Sequence, residues 1–70
     1  MTTTREYVDF LFHDLETGED FFVELEMTED EDIDSLTMKA QEVADEYFAN
    51  AMFEEVYSAE EAEMMGYDTY

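Results

Sequence analysis

Two alternating stretches on either side of a single glycine constrain this chain more than any other feature. "EYVDFLFHD" and "FFVELEM" place apolar residues at every second position, which is the period of a strand with one buried face. "LETGED" lies between them and carries Gly18, which suits a positive backbone angle, so the whole segment predicts an antiparallel β-hairpin. The residues predicted to face the core are Val8, Phe10, Phe12, Phe21, Val23, Leu25 and Met27. The outer face is predicted to carry Tyr7, Asp9, Leu11, His13, Phe22, Glu24 and Glu26.

The segments after the hairpin predict a helix, a strand and a second, short helix. One apolar helical stripe consists of Leu36, Ala40, Val43, Ala44, Tyr47 and Ala51. "MFEEVY" alternates weakly and predicts a third strand beside the hairpin, with a continuation of the helix as the alternative. "SAEEAEMMG" begins with Ser58 three residues before Glu61, a capping-box spacing, and ends on Gly66, a common helix terminator.

The size of the chain limits how its core is built. Seventy residues allow one domain, residues 1–70, and the absence of cysteine removes disulfides and cysteine-ligated zinc as reinforcement. Because 46% of the residues are hydrophobic, the chain is nevertheless expected to collapse around an apolar core. We therefore expect an α+β fold of order ββαβα, with the hairpin and third strand packed on one amphipathic helix.

The run "EMTEDEDIDS" places six carboxylates in ten positions between the second strand and the first helix. Asp30, Asp32 and Asp34 match the first acidic positions of a calcium-binding EF-hand loop, but Ser35 and Gln41 stand where that loop needs glycine and glutamate. Weak binding of divalent cations is all that the run predicts as a metal site. As a helix start it fits better, because Asp32 or Asp34 can cap the first amides of the helix.

Catalysis and nucleic-acid binding are both disfavoured by the sequence. A pair of catalytic carboxylates needs a concave pocket that separates their pKa values, and the acids here are expected on solvated faces of a small domain. His13 is the only histidine, and no nucleophile motif accompanies it. Arg5 and Lys39 are the only basic residues, so contacts to phosphate are excluded by sign. We expect no enzyme activity, no cofactor and no dedicated metal centre.

The net charge of −20 instead predicts a basic protein as partner. A magnitude of about 2 to 8 is normally enough to keep a small domain in solution, so simple solubility is the weaker explanation. Carboxylates at alternate strand positions repeat about every 6.7 Å, and the loop that follows extends them into a row that can imitate a phosphate backbone. The acidic residues predicted to bind the partner are Glu16, Glu19, Asp20, Glu24, Glu26, Glu29, Asp30, Glu31, Asp32 and Asp34.

Aromatic residues are expected to add specificity to such an electrostatic contact. Tyr67 and Tyr70 are predicted partner-binding residues, with packing against the sheet as an equal alternative. Phe22 and Tyr7 are further candidates if they lie on the outer face of the hairpin. Met64 and Met65 are expected to pack against the domain, with contact to the partner as the alternative.

The chain resembles small acidic inhibitors of phages and mobile elements, in particular DNA-mimicking anti-CRISPR proteins. "VDFLFHDLETGEDFFVELEMTEDEDIDSL", followed by an amphipathic helix, carries this resemblance in charge and architecture, without a diagnostic motif. The resemblance implies stoichiometric inhibition, in which the acidic surface occupies a basic channel of a CRISPR-Cas effector subunit and excludes DNA. Inhibitors of restriction enzymes and of uracil-DNA glycosylase look similar, and a small acidic adaptor unrelated to DNA is the alternative of a different class.

No stretch approaches the roughly 20 apolar residues that span a bilayer, and the beginning of the chain lacks the pattern of a signal peptide. We therefore expect a soluble, intracellular protein with no membrane association, and the resemblance to phage inhibitors implies the cytoplasm of a bacterial host.

Overall fold

Four strands and two helices build the domain in the computed structural model, which describes residues 6–70. In chain order they are β1 (Glu6–Asp14), β2 (Asp20–Met27), α1 (Ile33–Tyr47), β3 (Ala51–Ser58), α2 (Ala59–Met65) and β4 (Asp68–Thr69). The predicted α+β class is confirmed. The order ββαβα is followed by a strand, β4, that the sequence analysis did not predict.

The predicted hairpin is confirmed as the centre of a four-stranded sheet with the order β3-β1-β2-β4. β1 and β2 are antiparallel, and Gly18 in their turn has the expected positive φ of 77°. The side chain of Asp14 holds the turn by accepting hydrogen bonds from the Glu16 amide at 3.0 Å and from the Thr17 hydroxyl at 2.9 Å. Asp14 thus has a structural role at the start of the turn.

The segment Ala51–Ser58 is a strand, which settles the alternative left open by its weak alternation. It pairs antiparallel with β1, and the register shifts between Leu11 and Phe12, where a β-bulge adds Glu54 to the edge strand. α1 ends at Tyr47, so the extension of its apolar stripe to Ala51 was wrong. Tyr47 itself is 61% exposed and therefore lies outside the buried stripe, with its ring 5.1 Å from that of Tyr70.

The main core lies between one face of the sheet and α1, as the alternation predicted. Its buried members are Phe10, Phe12, Phe21, Val23, Leu36, Ala40 and Ala44. Phe21 stacks on Phe12 at 5.6 Å and on Phe48 at 4.1 Å between ring centroids. Small residues at Ala40 and Ala44 allow the helix backbone to approach this aromatic layer closely.

The opposite face of the sheet is also buried at its centre, which corrects the predicted outer face. Leu11, Phe22 and Ala62 form a second apolar cluster, with Tyr57 packed beside it. Phe22 is fully buried and therefore cannot contact a partner as predicted. The reason is α2, which the alternation of the strands cannot reveal and which covers this face.

Both ends of α2 are formed as the sequence predicted. The Ser58 hydroxyl accepts a hydrogen bond from the Glu61 amide at 3.3 Å, and Gly66 ends the helix in the left-handed conformation with φ 74°. The chain then turns back to form β4, which is parallel to β2. The Tyr70 amide donates to the Phe22 carbonyl, and the Glu24 amide donates to the Tyr70 carbonyl.

Candidate partner-binding surface

The acidic run after β2 forms one end of the candidate surface. Asp32 caps α1 as predicted, because its side chain accepts a hydrogen bond from the Ser35 amide at 2.9 Å. Glu31 forms an ion pair with Lys39. Glu29, Asp30 and Asp34 are exposed. Helix capping and one ion pair thus account for two of these acids, and the others extend into solvent.

Glu24 and Glu26 continue this surface onto β2, where both are exposed at alternate positions on the face opposite α1. We call the continuous set from the strand to the start of the helix the acidic ridge. Its members are Glu24, Glu26, Glu29, Asp30, Glu31, Asp32 and Asp34. They follow one another along eleven residues of chain, so sequence proximity alone brings them together.

The other predicted acids lie at the opposite end of the hairpin. Glu16 and Glu19 are exposed in the β1–β2 turn, and Glu16 accepts a hydrogen bond from the Asn50 amide group at 3.2 Å. Asp20 begins β2, whose eight residues span roughly 26 Å at 3.3 Å per residue. The structure therefore divides the predicted residues into the acidic ridge and a separate turn group.

Asp20 in the turn group lies beside His13, its cross-strand partner. His13 Nδ1 and Asp20 Oδ1 are 2.8 Å apart, and this hydrogen bond raises the pKa of the imidazole. Glu54 from the bulge of β3 brings a third donor atom, so that the three ligand atoms lie within 4.8 Å of one another. One imidazole and two carboxylates are a donor set that transition metals accept. Among residues 6–70 it is this trio, and not the acidic ridge, that could hold a metal ion.

Asp9 is the functional candidate that sequence reasoning missed. Its side chain is only 1% exposed, and it lies on β1 directly across from Glu24. Burial raises the pKa of Asp9 to about 6, and the facing Glu24 carboxyl raises it further. Neither oxygen of Asp9 has a hydrogen-bond partner among the described residues.

A pocket of about 440 Å³ opens beside this pair, between the sheet and α2. Glu63 of α2 and Tyr67 after it form part of its wall. The sequence did contain a signal for this site: an acid in β1 is registered with an acid in β2, on a face that also carries Phe22. In the sequence alone, where the position of α2 is unknown, this pair of acids predicts two solvated carboxylates.

The two C-terminal tyrosines fold back on the sheet and remain partly accessible. Tyr70 is 43% exposed and its ring packs 5.5 Å from that of Phe21, while Tyr67 is 42% exposed and packs 5.7 Å from Phe22. Met64 is 88% exposed, so the prediction that it packs against the domain was wrong. It occupies the solvent side of a two-turn helix whose buried residue is Ala62. Met65 is 38% exposed and lies at the border of the covered face.

Few basic residues accompany these acids in the described part of the chain. Within residues 6–70 the sole lysine or arginine is Lys39, and it pairs with Glu31. The described fold measures 45 × 25 × 16 Å. Residues 6–70 contain 22 acids and Lys39, a net charge of −21, which along 45 Å corresponds to about one negative charge per 2 Å, close to the value of about 1.7 Å for duplex DNA.

Comparisons with protein-family models, with curated proteins and with solved structures found no match to this chain. Neither helix in the described part of the chain is long and apolar enough to cross a membrane. Function is therefore inferred from the chemistry of the surface.

Proposed function

We propose that this protein is an acidic DNA mimic that binds the basic DNA-binding surface of a CRISPR-Cas effector and blocks target DNA binding. The observation that carries the proposal is the linear charge density, which approaches that of duplex DNA, with Lys39 as the one lysine or arginine within residues 6–70. Repulsion among the carboxylates at this density destabilises a small domain, and most of these acids form no contact that stabilises the fold. The cations of a basic partner would offset this repulsion when the complex forms.

The acidic ridge is the part of the molecule that such a channel would contact first. Exposed carboxylates on β2 and in the following loop present acceptor oxygens to arginine and lysine side chains, as phosphates do. Attraction over this distance steers association and displaces DNA by competition for the same cations. The protein acts stoichiometrically in this proposal, in the cytoplasm of a bacterial host, and needs no catalytic residue.

A plaque assay tests this function directly. Bacteria whose CRISPR system targets a phage are infected with and without expression of the protein, in parallel strains that carry different CRISPR types. We expect the phage to form plaques at restored efficiency in at least one type. A gel-shift assay with the purified effector of that type should then show that the protein releases target DNA, and that saturating DNA in turn prevents binding of the protein.

Two outcomes would contradict the proposal. Binding of the protein that persists beside saturating DNA would show that the DNA site is not the target. Restored plating in a strain that restricts the phage by a restriction enzyme, without any effect on CRISPR systems, would move the activity to the alternative inhibitor class. The control is a variant with Glu29→Lys and Asp30→Lys, which should fold and lose activity.

A further inference from the structure

The pocket beside Asp9 contains an unsatisfied buried acid. The Asp9 carboxyl is 1% exposed, and neither of its oxygens has a hydrogen-bond donor among residues 6–70 when it is ionised. Buried polar groups without a partner are costly, and each one in a native protein needs an explanation. Asp14, the other buried acid, shows the ordinary solution, because its two oxygens accept hydrogen bonds from Glu16 and Thr17.

The surroundings of Asp9 add negative charge. Glu24 faces it from β2, Glu63 lines the same pocket from α2, and the lining residues from 6–70 include no lysine, arginine or histidine. On the β3 side its cross-strand neighbour is Tyr57, which donates its hydroxyl to Glu55 at 2.8 Å and is therefore engaged elsewhere. An ionised Asp9 thus has acids and a tyrosine around it, and the missing partner is a cation.

We propose that this pocket binds the guanidinium group of an arginine side chain from the basic partner, a contact that rests on the proposed function and gives it a specific anchor. Asp9 and Glu24 are adjacent across two strands, so one planar guanidinium with five donors can bond to both carboxylates. Tyr67 forms part of the wall, and arginine stacks on aromatic rings better than lysine does. The volume of about 440 Å³ lies within the range of about 300 to 1,000 Å³ typical of ligand pockets.

Other occupants fit these observations less well. A metal ion needs at least three converging ligands, and within residues 6–70 such a group forms at His13, Asp20 and Glu54 instead. A lysine ammonium would satisfy the charge but carries only three donors at one point, which do not match two carboxylates and an aromatic wall. An arginine that binds phosphate in the DNA complex would therefore bind the two carboxylates of this pocket in the inhibited complex.

The experiment is a titration of the whole protein, observed through the side-chain carboxyl ¹³C resonances by NMR. The probe is N-acetyl-arginine methylamide, with N-acetyl-lysine methylamide and sodium chloride as comparisons at equal ionic strength. The arginine probe should lower the pKa of Asp9 from about 6 to about 5 or below, since a cation within hydrogen-bond distance favours the carboxylate. Resonances of Glu24, Glu63 and Tyr67 should move with it, and those of Glu16 and Glu19 should not.

An equal response to lysine, or a response that sodium chloride reproduces, would overturn a guanidinium site. So would the absence of any change at Asp9. Asp9→Asn should weaken binding of the probe at least about tenfold, because one of the two carboxylates is lost. Glu42→Gln, which removes one exposed charge from the outer side of α1, should change it less than about twofold.

The same variants separate this inference from the proposed function. If the protein displaces DNA from its target while the arginine probe leaves the Asp9 resonance unchanged, the guanidinium site is refuted and the proposed DNA mimicry is retained. If the probe binds at Asp9 but the protein never competes with DNA, the guanidinium site is retained and the proposed DNA mimicry is refuted.

Discussion

Individual residues in this protein divide by whether their charge is used within the fold. Asp14 caps a turn and Asp32 caps a helix, so both carboxylates are bonded to donors of the same domain. Asp9 is buried as deeply as Asp14 but faces another acid, and its ionised form stabilises nothing within the described residues. A small domain has little stability to spare, so such a residue is expected to act on something outside the fold.

Replacement of Asp9 by asparagine should stabilise the protein at neutral pH. The folded-state pKa of about 6 lies above the ordinary value of 3.8, so the stability contributed by the proton on Asp9 is complete below pH 3.8 and lost as pH rises through 6. Asp9→Asn keeps the shape without the charge. We expect a gain of about 1 to 3 kcal/mol at pH 7.5 that shrinks toward pH 4.

Urea unfolding at the two pH values measures this difference. Glu42→Gln is the control for general loss of negative charge and should gain less than about 0.5 kcal/mol. An Asp9→Asn variant that is no more stable than the parent at pH 7.5 would contradict a buried, unsatisfied carboxylate.

The elements of the fold separate structural from partner-binding roles. α1 and the hairpin enclose the main core, whereas α2 covers the second face of the sheet and β4 extends the sheet beside β2. Both α2 and β4 line the pocket beside Asp9. β4 has only two residues and is held by backbone bonds to β2 and by the ring of Tyr70 against Phe21 and Phe48. Tyr70 thus contributes both backbone hydrogen bonds and ring packing to the attachment of β4.

Tyr70→Ala should destabilise the domain by about 1 to 2 kcal/mol, because the ring is about half buried and its aromatic neighbours lose their contact. Thermal and urea unfolding measure the change. Met64→Ala, at a side chain that is 88% exposed, should remain within about 0.5 kcal/mol of the parent. Equal effects of the two substitutions would mean that the C-terminal segment does not pack on the sheet.

The acidic ridge is the element for which placement of charge, rather than its amount, should matter. Glu29→Lys with Asp30→Lys should weaken binding to the basic partner by about tenfold or more, while the matched pair Glu42→Lys with Glu46→Lys on α1 should cost less than about threefold. Asp32 is left intact because it caps α1, and Glu31 is left intact because it pairs with Lys39.

Binding is measured by calorimetry with the target identified in the plaque assay, after circular dichroism confirms that both double variants are folded. Equal losses in the two variants would show that net charge alone governs binding and that the acidic ridge has no special role.

As a whole molecule the protein is an elongated body with one negative charge for about every 2 Å of its length. This repulsion acts on the free protein whether or not a partner exists. Raising sodium chloride from about 0.01 to 0.1 M shortens the Debye length from about 30 to about 10 Å. We expect the melting temperature to rise by about 4 to 8 °C, which corresponds to about 1 kcal/mol for a domain of this size.

Differential scanning calorimetry over this salt range measures the shift. A variant in which Glu42, Asp45 and Glu46 are replaced by their amides carries less charge and should gain less. A melting temperature that does not depend on salt would mean that the carboxylates are already compensated in the free protein.

The sequence by itself determined the hairpin, the start of α1 and both ends of α2. Alternation around Gly18, the apolar stripe from Leu36 to Ala44 and the pair Ser58 and Gly66 act between near neighbours, so local pattern was sufficient. The charge and the acidic ridge are also local, because consecutive residues stay close together in any fold. Only the tertiary structure determined that the face of the sheet with Asp9 and Phe22 is buried. The alternation of a strand shows that its two faces differ but not what later covers each. Only the packing of α2 on the sheet made the predicted outer face into a second core and an acidic pocket.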